Sequence, residues 1–343
     1  MKLSIIGLPL SGKSTVFETL TRSNGKQNHK IENRTAMINV PDNRIDSLSA
    51  LFQPQKTTYA KVEYFLPGAT MGADQKAREQ RWAGVRDSDA FIHVIRNFRN
   101  SGFDDPDPAT DIQNIEDELI LADMIVTEKR LERLETEKKK GRGYQVEEHQ
   151  LLLEIHTLLE RGRPVRSDGR LTSHPILRGY AFLSGKPKLV IFNNDDGDTN
   201  LPALTDRIPF NGSLIIRGKL EHEISQMTEK DSADFLAEYD IHDLARNRVI
   251  RNSYGILGLI SFFTVGQDEV RSWSVRNGVS ALEAAGEIHS DIQQGFIRAE
   301  TISYNDFMSA GSYTEARKRG TVRLEGKTYI VQDGDIINFR FNI

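Results

Sequence analysis

The chain of 343 residues contains no cysteine. Disulfide bonds, thiolate metal sites and cysteine nucleophiles are therefore excluded from its chemistry. It also lacks any apolar run near the roughly 20 residues that a membrane-spanning helix needs, so we expect no membrane partner. The opening segment Met1–Gly7 is too short an apolar run for a signal peptide, and we expect a cytoplasmic protein.

An excess of positive charge is also missing. The formal net charge is -4, with 49 acidic residues against 45 Lys and Arg. A chain with this balance has no overall attraction for nucleic acid, so any contact with RNA requires a local basic patch. The rest of the composition, 38% hydrophobic and 27% charged, is that of an ordinary globular protein able to bury a core.

Short apolar runs alternate with helical patterns in the first third of the chain, and one more run follows a long interruption. Strands that alternate with helices indicate a parallel sheet with helices on both faces. The run Phe91–Ile95 is apolar except at His93, which we therefore expect to be buried in a strand covered on both sides. The predicted strands are Leu3–Ile6, Lys61–Phe65, Ala90–Ile95 and Lys188–Phe192.

The segment from Asp111 to Leu177 interrupts this alternation with two charged helical patterns. Apolar residues recur at helical spacing on both sides of a basic turn that contains glycine, Lys138–Gly143. This arrangement predicts an antiparallel helical hairpin that ends at Pro164. The two apolar stripes comprise Ile115, Leu119, Ala122, Val126, Leu131 and Leu134, followed by Val146, Leu152, Ile155 and Leu159.

From about Ile260 the sequence has the strand patterns of a small α+β module. Gly334 supplies a turn between the last two strands. The predicted strands are Ile260–Val265, Ile297–Ile302, Thr328–Val331 and Ile336–Phe341.

A phosphate-binding loop is the clearest motif, because Gly7–Ser14 matches G-x-x-x-x-G-K-[ST]. Its glycines allow successive backbone N–H groups to point at phosphate oxygens. Lys13 adds a positive charge near the β- and γ-phosphates, and Ser14 offers its hydroxyl to Mg²⁺. We expect ATP or GTP as the ligand and Mg²⁺ as the cofactor. The predicted phosphate-binding residues are Gly7, Pro9, Leu10, Ser11, Gly12, Lys13, Ser14 and Thr15.

The chain resembles the YchF / Obg-like ATPase family of P-loop proteins related to translation factors. The resemblance covers nearly the whole chain. It lies in Gly7–Thr15, Val40–Arg44, His93–Phe98, Ile115–Asp123, Gln294–Glu300 and Val331–Asp335.

The resemblance implies an α/β fold in three parts. These are a Ras-like P-loop domain with a mainly parallel sheet, an inserted antiparallel helical hairpin and a C-terminal α+β module of the β-grasp type, similar to a TGS domain. The expected boundaries are 1–110 and 178–258 for the P-loop domain, 111–177 for the hairpin and 259–343 for the TGS-like module. The resemblance also implies the ribosome as a partner.

The same resemblance places a base-binding segment after the strand that ends at Phe192. Relatives that bind guanine carry Asn-Lys-x-Asp there, whereas the family itself carries Asn-x-x-Glu and prefers ATP. This chain has a shorter carboxylate, Asp196, which can accept two hydrogen bonds from guanine, so both bases stay open. A plain polar turn is the alternative. The expected base-binding residues are Asn193, Asn194 and Asp196, with Arg217, Gly218 and Lys219 where the family has Ser-Ala-Lys.

Three departures from the family pattern surround the expected γ-phosphate. The family's Asp-x-x-Gly is absent from Val62–Gly68, and Lys30 stands where the family has a Thr of the Mg²⁺ shell. The loop after Phe98 lacks the His that the family uses there. Because phosphoryl transfer depends on positioning and charge stabilisation, we expect slow or absent hydrolysis with binding retained. We assign no catalytic residue.

Lys30 admits two interpretations. Its ammonium is a candidate contact to the γ-phosphate, which would make nucleotide binding depend less on Mg²⁺. The alternative is one more solvated charge in a mobile loop.

Two basic clusters are candidate contacts to RNA: Lys138–Arg142 at the hairpin tip and Arg317–Arg319 in the C-terminal module. Acidic neighbours at Glu135, Glu137 and Glu315 favour an ordinary solvated face instead. Together with the resemblance, these clusters indicate a nucleotide-dependent regulator that docks on the ribosome or RNA.

Two other functions stay open. One is a working ATPase or GTPase in which another carboxylate, Glu63 or Asp74, replaces the missing Asp. The other is a small-molecule kinase, since P-loops also serve those enzymes, although the hairpin and the C-terminal module speak against it.

Overall fold

The computed structural model describes residues 1–22, 32–68, 82–100, 102, 104–141, 143–203, 212–239, 241 and 243–342. Among these residues no helix is both long enough and apolar enough to cross a membrane. The strands are β1 Lys2–Ile6, β2 Arg34–Asn39, β3 Lys56–Thr58, β4 Lys61–Leu66, β5 Ala90–Asn97, β6 Lys188–Asn194, β7 Ser213–Ile216, β8 Leu259–Val265, β9 Glu269–Arg276, β10 Phe296–Ser303, β11 Arg323–Glu325 and β12 Asp335–Phe341.

The α-helices among the described residues range from one turn to 33 residues. They are α1 Lys13–Thr21, α2 Asn43–Phe52, α3 Pro108–Lys140, α4 Val146–Glu160, α5 Gly169–Ser173, α6 Gly218–Ser225, α7 Glu229–Glu238, α8 Ala245–Ile256, α9 Ala281–Ile288, α10 Ser290–Gln294, α11 Tyr304–Ala310 and α12 Tyr313–Lys318.

The chain forms two compact units. The first contains Met1–Ala36 and Glu63–Val249, and the second contains Met37–Val62 and Ile250–Ile343. The segment 37–62, which the sequence boundaries assign to the P-loop domain, thus packs within the second unit. The three-part boundaries themselves stay a prediction.

A six-stranded sheet in the order β2-β4-β1-β5-β6-β7 contains β1, β5, β6 and β7, which lie entirely in the first unit. β1 pairs in parallel with β4 and β5, and β6 pairs in parallel with β5 and β7. The strands β1, β5 and β6 are almost completely buried, which explains their continuous apolar runs. The mixed α/β fold with its mainly parallel sheet is therefore confirmed.

α3 begins on this sheet and ends in the hairpin. Its first turns contribute Ile112 and Ile115 to clusters that include β5 residues. Further along, α3 and α4 share a separate core with the short segments that follow them. An ion pair of Arg130 with Glu148 and a contact of the His156 ring with Glu128 at 3.4 Å join the two helices in antiparallel order. The hairpin is thus confirmed.

Four members of the predicted apolar stripes do not enter the hairpin core: Ile115, Leu119 and Ala122 pack in a cluster with residues of β1, β4 and β5, and Val146 packs in neither cluster. Val146 is 56% exposed. It is the first residue of α4, where the helix has only begun and its neighbour Tyr144 packs against the core instead. Gly141 ends α3 with a left-handed backbone, φ 64°, as glycine does at helix C-termini.

The second unit contains a mixed sheet in the order β11-β10-β12-β8-β9-β3. Both of its faces are covered in part, so adjacent residues of β8 enter different cores. Phe262 packs in the cluster that contains α9, and Phe263 packs in the cluster that contains residues of α2, α11 and α12. This α+β arrangement was expected, while its specific likeness to a TGS domain stays a prediction.

The predicted strand Thr328–Val331 is wrong. The segment makes only an isolated bridge between Ile330 and Ser280. Its main chain bonds to the residues that lead into α9, with Ala281 N–H donating to Tyr329 C=O at 2.7 Å. Tyr329 and Val331 pack in the cluster that contains residues of α9, which accounts for their apolar character without a strand.

Candidate functional site

The phosphate loop connects β1 to α1 through two glycines with positive φ. The angles are 149° at Gly7 and 94° at Gly12. A Cβ on Gly7 would lie 2.4 Å from the carbonyl oxygen of Val94, and one on Gly12 would lie 2.2 Å from Asn193 Nδ2. Both positions therefore require glycine, because neighbouring segments approach the backbone closely.

Lys13 is the first residue of α1 and folds back over the loop. Its Nζ donates to the carbonyl oxygens of Gly7 at 3.0 Å and Leu8 at 2.6 Å. The first N–H groups of a helix have no partners within the helix and carry the positive end of its dipole. The ammonium and these amides together form a site suited to phosphate.

Ser14 is the residue of the loop that suits a magnesium ion. It lies exposed in the first turn of α1, and no hydrogen bond from another described residue engages its hydroxyl. Across the described part of the chain, no group of three or more His, Asp and Glu side chains is placed to hold a metal. Since Mg²⁺ commonly takes few protein ligands together with phosphate oxygens and water, one hydroxyl fits such a site.

The remaining predicted loop residues differ in exposure. Ser11 is buried, and its hydroxyl has no hydrogen-bond partner among the described residues. Leu10 is 58% exposed with φ 64°, so the loop presents an apolar side chain at its tip. Pro9 is exposed and Thr15 is half-buried.

Asn193 joins the phosphate loop to the start of α6. It is 4% exposed, donates from Nδ2 to the carbonyl oxygen of Ser11 at 3.2 Å and accepts at Oδ1 from Gly218 N–H at 3.0 Å. A Cβ on Gly218 would lie 2.5 Å from Asn193 Oδ1. The structure thus brings the phosphate loop together with both predicted base-binding segments, the one that contains Asn193 and the one that contains Gly218.

Asp196 also contacts the start of α6. Its Oδ1 accepts from Leu220 N–H at 3.2 Å, whereas the N-cap residue Arg217 makes no capping bond of its own. Asn193 and Asp196 therefore cap α6 from the end of β6. Lys219, in the first turn of α6, is exposed.

Two predicted base-binding residues have other partners in the structure. Asn194 is 3% exposed, accepts from Asn97 Nδ2 at 2.8 Å and donates to the carbonyl oxygen of Asn200 at 2.9 Å. The guanidinium of Arg217 donates to the carbonyl oxygen of Tyr239 at 3.2 Å. Asn194 shapes the loop after β6, a role that its position in the motif does not reveal.

The end of β4, where the family has its Asp, carries no carboxylate. It continues as Pro67 and Gly68, and Gly68 N–H donates to Asn33 Oδ1 at 2.9 Å. Asn33 was missed by sequence reasoning because no motif includes it. Lys30 and Asp74 lie outside the described residues.

Glu63 does not replace the missing Asp. In the parallel pairing of β1 with β4 it lies opposite Lys2, whereas the phosphate loop begins after Ile6. Four residues of strand separate the two positions, roughly 13 Å along the sheet. This distance excludes Glu63 as a ligand of a metal at Ser14.

His93 is buried in β5 in register with Ile6, as expected, and is 0% exposed. Neither ring nitrogen has a hydrogen-bond partner among the described residues. Burial, together with the positive charges of Lys188, Arg166 and Lys13, holds the pKa of His93 well below its usual value. The ring is therefore neutral at pH 7.

A buried ion cluster beside β6 fixes α3. Glu116 of α3 accepts from Lys188 Nζ at 2.6 Å and from the guanidinium of Arg166. Burial tends to raise the pKa of Glu116, but the two cations outweigh it and hold the pKa below its usual range. The only sequence signal for this cluster is Lys188 at the start of a buried strand.

Known proteins match this chain over nearly its full length. Residues 259–342 match the YchF-GTPase_C family, which is described as a protein of unknown function (DUF933). The chain is 37% identical over 362 residues to the ribosome-binding ATPase YchF of Haemophilus ducreyi, covering 100% of this chain and 99% of the relative. It is 34% identical over 360 residues to the protein of that name from Bacillus subtilis, covering 99% of this chain and 98% of the relative.

Two solved structures also match this chain over nearly its full length. The YchF GTPase of Schizosaccharomyces pombe is 27% identical, with a TM-score of 0.81 and coverage of 99% of this chain and 97% of that one. A GTP binding protein from Pyrococcus horikoshii OT3, at 15% identity, a TM-score of 0.57 and full coverage of both chains, shares the fold alone. Identity above one third along the whole length, with the same fold, confirms the resemblance: the chain belongs to the YchF family.

Proposed function

We propose that this chain binds ATP or GTP with Mg²⁺ through Gly7–Thr15 and that the bound nucleotide controls its association with the ribosome. The observation that carries the proposal is the built loop, in which Lys13 and the first amides of α1 converge beside two obligatory glycines. Relatives named ribosome-binding ATPase support both the nucleotide and the partner. A cytoplasmic location accords with that partner.

Each part of the site has a distinct role in this proposal. The loop amides and Lys13 bind phosphate, and Ser14 binds Mg²⁺, which when bound screens the phosphate charge. Asn193 holds the loop against the start of α6, and Asp196, Gly218 and Lys219 line the base. Asn194 and Arg217 support these segments through the contacts described above.

We also propose that hydrolysis is weak. Among the described residues that follow β4, Pro67 and Gly68, there is no carboxylate, and Glu63 lies at the wrong end of that strand. A phosphoryl-transfer site without a group that orients the metal loses positioning, which is most of what such a site supplies. Binding does not depend on that group to the same degree, since the loop amides and Lys13 remain.

Single-turnover hydrolysis of labelled ATP and GTP, with protein in excess and occupancy measured by filter binding, tests this proposal. We expect bound but uncleaved nucleotide over hours in the wild type and no bound nucleotide in Lys13→Ala. Lys327→Ala, which removes an exposed lysine of the second unit, is the matched control. Product within minutes that disappears in Lys13→Ala would identify a working NTPase, and absence of binding would overturn the proposal.

A further inference from the structure

Two arginines lie directly opposite each other on neighbouring strands of the second unit. In the antiparallel pairing of β10 with β12, Arg298 faces Arg340, and both side chains are exposed. Side chains of directly opposed residues lie about 5 Å apart, and like charges at that distance destabilise a sheet. The opposed pair is therefore unfavourable for folding unless other groups compensate its charge.

The arginines lie on a part of the sheet that helices leave open. On the same face, Ile302 and Ile336 pack against residues of α11 and α12. The helices no longer cover this face two to four residues away, towards Arg298 on β10 and Arg340 on β12. There the exposed side chains are those of Arg298 from β10, Asn338 and Arg340 from β12, Leu324 from β11 and Arg317 from α12. We call these five residues the arginine face.

One carboxylate lies beneath the arginine face. Glu300 is 3% exposed and accepts from Arg317 Nη2 at 2.8 Å and from Arg340 Nη2 at 3.1 Å. Burial tends to raise the pKa of Glu300, but the two arginines hold it below its usual range. Glu300 is therefore ionised and offsets one of the three positive charges of the arginine face.

Arg298 is the charge that this carboxylate leaves uncompensated. Its guanidinium has no hydrogen bond or ion pair with any residue that the structure describes. By contrast, the other members of the basic cluster noted in the sequence are engaged locally: Lys318 with Glu315 at 3.2 Å, and Arg319 with the carbonyl oxygen of Ser309 at 3.0 Å. The cluster at 317–319 thus contributes Arg317 alone.

We propose that the arginine face is a docking surface for the phosphate backbone of ribosomal RNA. A phosphate between Arg298 and Arg340 turns their mutual repulsion into shared attraction, and the planar guanidinium group matches phosphate oxygens in pairs. Asn338 adds an amide donor of the kind that contacts phosphate and sugar. This inference rests on the ribosome association proposed above and assigns it to a defined surface.

The test compares the full chain with variants of the arginine face in binding to purified ribosomes and to protein-free ribosomal RNA over a series of salt concentrations. Arg298→Gln removes a side chain without a described partner, so the fold is kept. The double variant Arg298→Gln, Arg340→Gln removes the opposed pair. Arg298→Lys retains the charge, and Arg276→Gln removes an exposed arginine from β9 of the same unit as the matched control.

On both probes we expect Arg298→Gln to weaken binding several-fold and to lower the slope of log affinity against log salt by about 1. The double variant should lose affinity on the order of tenfold or more and lower the slope by about 2. For each phosphate contact that is lost, binding releases fewer counterions. Arg298→Lys should keep the wild-type salt slope but recover only part of the affinity, because it retains the charge and loses the paired donors of the guanidinium. Arg276→Gln should match the wild type.

Three results would overturn the proposal that the arginine face binds ribosomal RNA. Unchanged affinity and salt slope in both Gln variants would show that these residues are not part of the interface. Loss on ribosomes without loss on RNA would identify a protein partner instead. A wild-type chain that binds neither probe would overturn the ribosome association as well, while nucleotide binding, measured separately by filter binding, would stand or fall by itself.

Discussion

Asn193 is the residue that links the phosphate loop to the start of α6, the two segments of the proposed nucleotide site. One amide group satisfies the carbonyl oxygen of Ser11 in the loop and the N–H of Gly218 at the start of α6. Because Asn193 is almost fully buried, water cannot replace these bonds without a rearrangement.

Asn193→Ala should lower the free energy of unfolding by about 1–3 kcal/mol, the usual cost of leaving a buried polar group without a partner. Nucleotide affinity should fall with it, since the loop and α6 lose their link. Urea denaturation and filter binding measure the two effects. Thr199→Ala, in the exposed turn after β6, is the control and should change neither. Wild-type stability in Asn193→Ala would show that the link contributes nothing.

His93 makes the stability of the first unit depend on pH. Its pKa in the folded chain lies well below the usual 6.5, so between those two values the unfolded chain carries a proton that the folded chain lacks. Stability therefore falls as pH drops below about 6.5, by up to about 1.4 kcal/mol for each pH unit. In His93→Leu this contribution should vanish.

Urea denaturation of both proteins between about pH 5 and 7 measures that difference in slope. Parallel profiles for the wild type and His93→Leu would mean that the buried ring titrates normally.

At the scale of elements, α2 is tied to the segment before β12 by Arg44. The guanidinium donates to Asp42 Oδ2 at 2.8 Å and to Asp333 Oδ2 at 2.7 Å, and it lies over the ring of Phe263. Asp333 in turn accepts from Ser261 N–H of β8 at 2.9 Å. Two sequence stretches that carry the family resemblance, 40–44 and 331–335, thus meet in the second unit.

Arg44→Leu should weaken the second unit by about 1–3 kcal/mol, because Asp42 and Asp333 lose a charged donor that both share. Hydrogen exchange of the amides in α2, β8 and β12 measures the loss as faster exchange. Arg276→Leu serves as the control, since its exposed side chain makes no hydrogen bond or ion pair with any described residue. Nucleotide binding should be unchanged, and unchanged exchange in α2 would contradict the structural role of Arg44.

The sequence predicts the features that depend on residues close together in the chain, and it does not predict contacts between distant residues. The phosphate loop, the buried strands and the hairpin depend on residues close in the chain, and their patterns were sufficient. The bonds of Arg44 to Asp333 and of Gly68 to Asn33 join residues 289 and 35 positions apart, which no local pattern encodes. The strand expected at 328–331 failed for the same reason, since its partner is a turn about 50 residues earlier.

At the scale of the whole molecule, nucleotide binding should raise the unfolding temperature. A ligand that binds only the folded chain adds about 2.7 kcal/mol at a concentration 100 times its dissociation constant. For a unit of about 200 residues this is a shift of roughly 5–10 °C. Scanning calorimetry with Mg²⁺ and ATP or GTP measures the shift, and whichever base gives the larger shift at equal concentration binds more tightly.

The same scans separate the two interpretations of Lys30. If Mg²⁺ held at Ser14 carries most of the γ-phosphate binding, a chelator should abolish most of the shift, and Lys30→Ala should behave like the wild type. If the ammonium of Lys30 contacts the γ-phosphate, most of the shift should survive the chelator and disappear in Lys30→Ala. ADP is the control. Because it lacks the γ-phosphate, its shift should be the same in Lys30→Ala as in the wild type. Lys13→Ala should show no shift with any nucleotide, and a shift that persists there would place the nucleotide outside the loop.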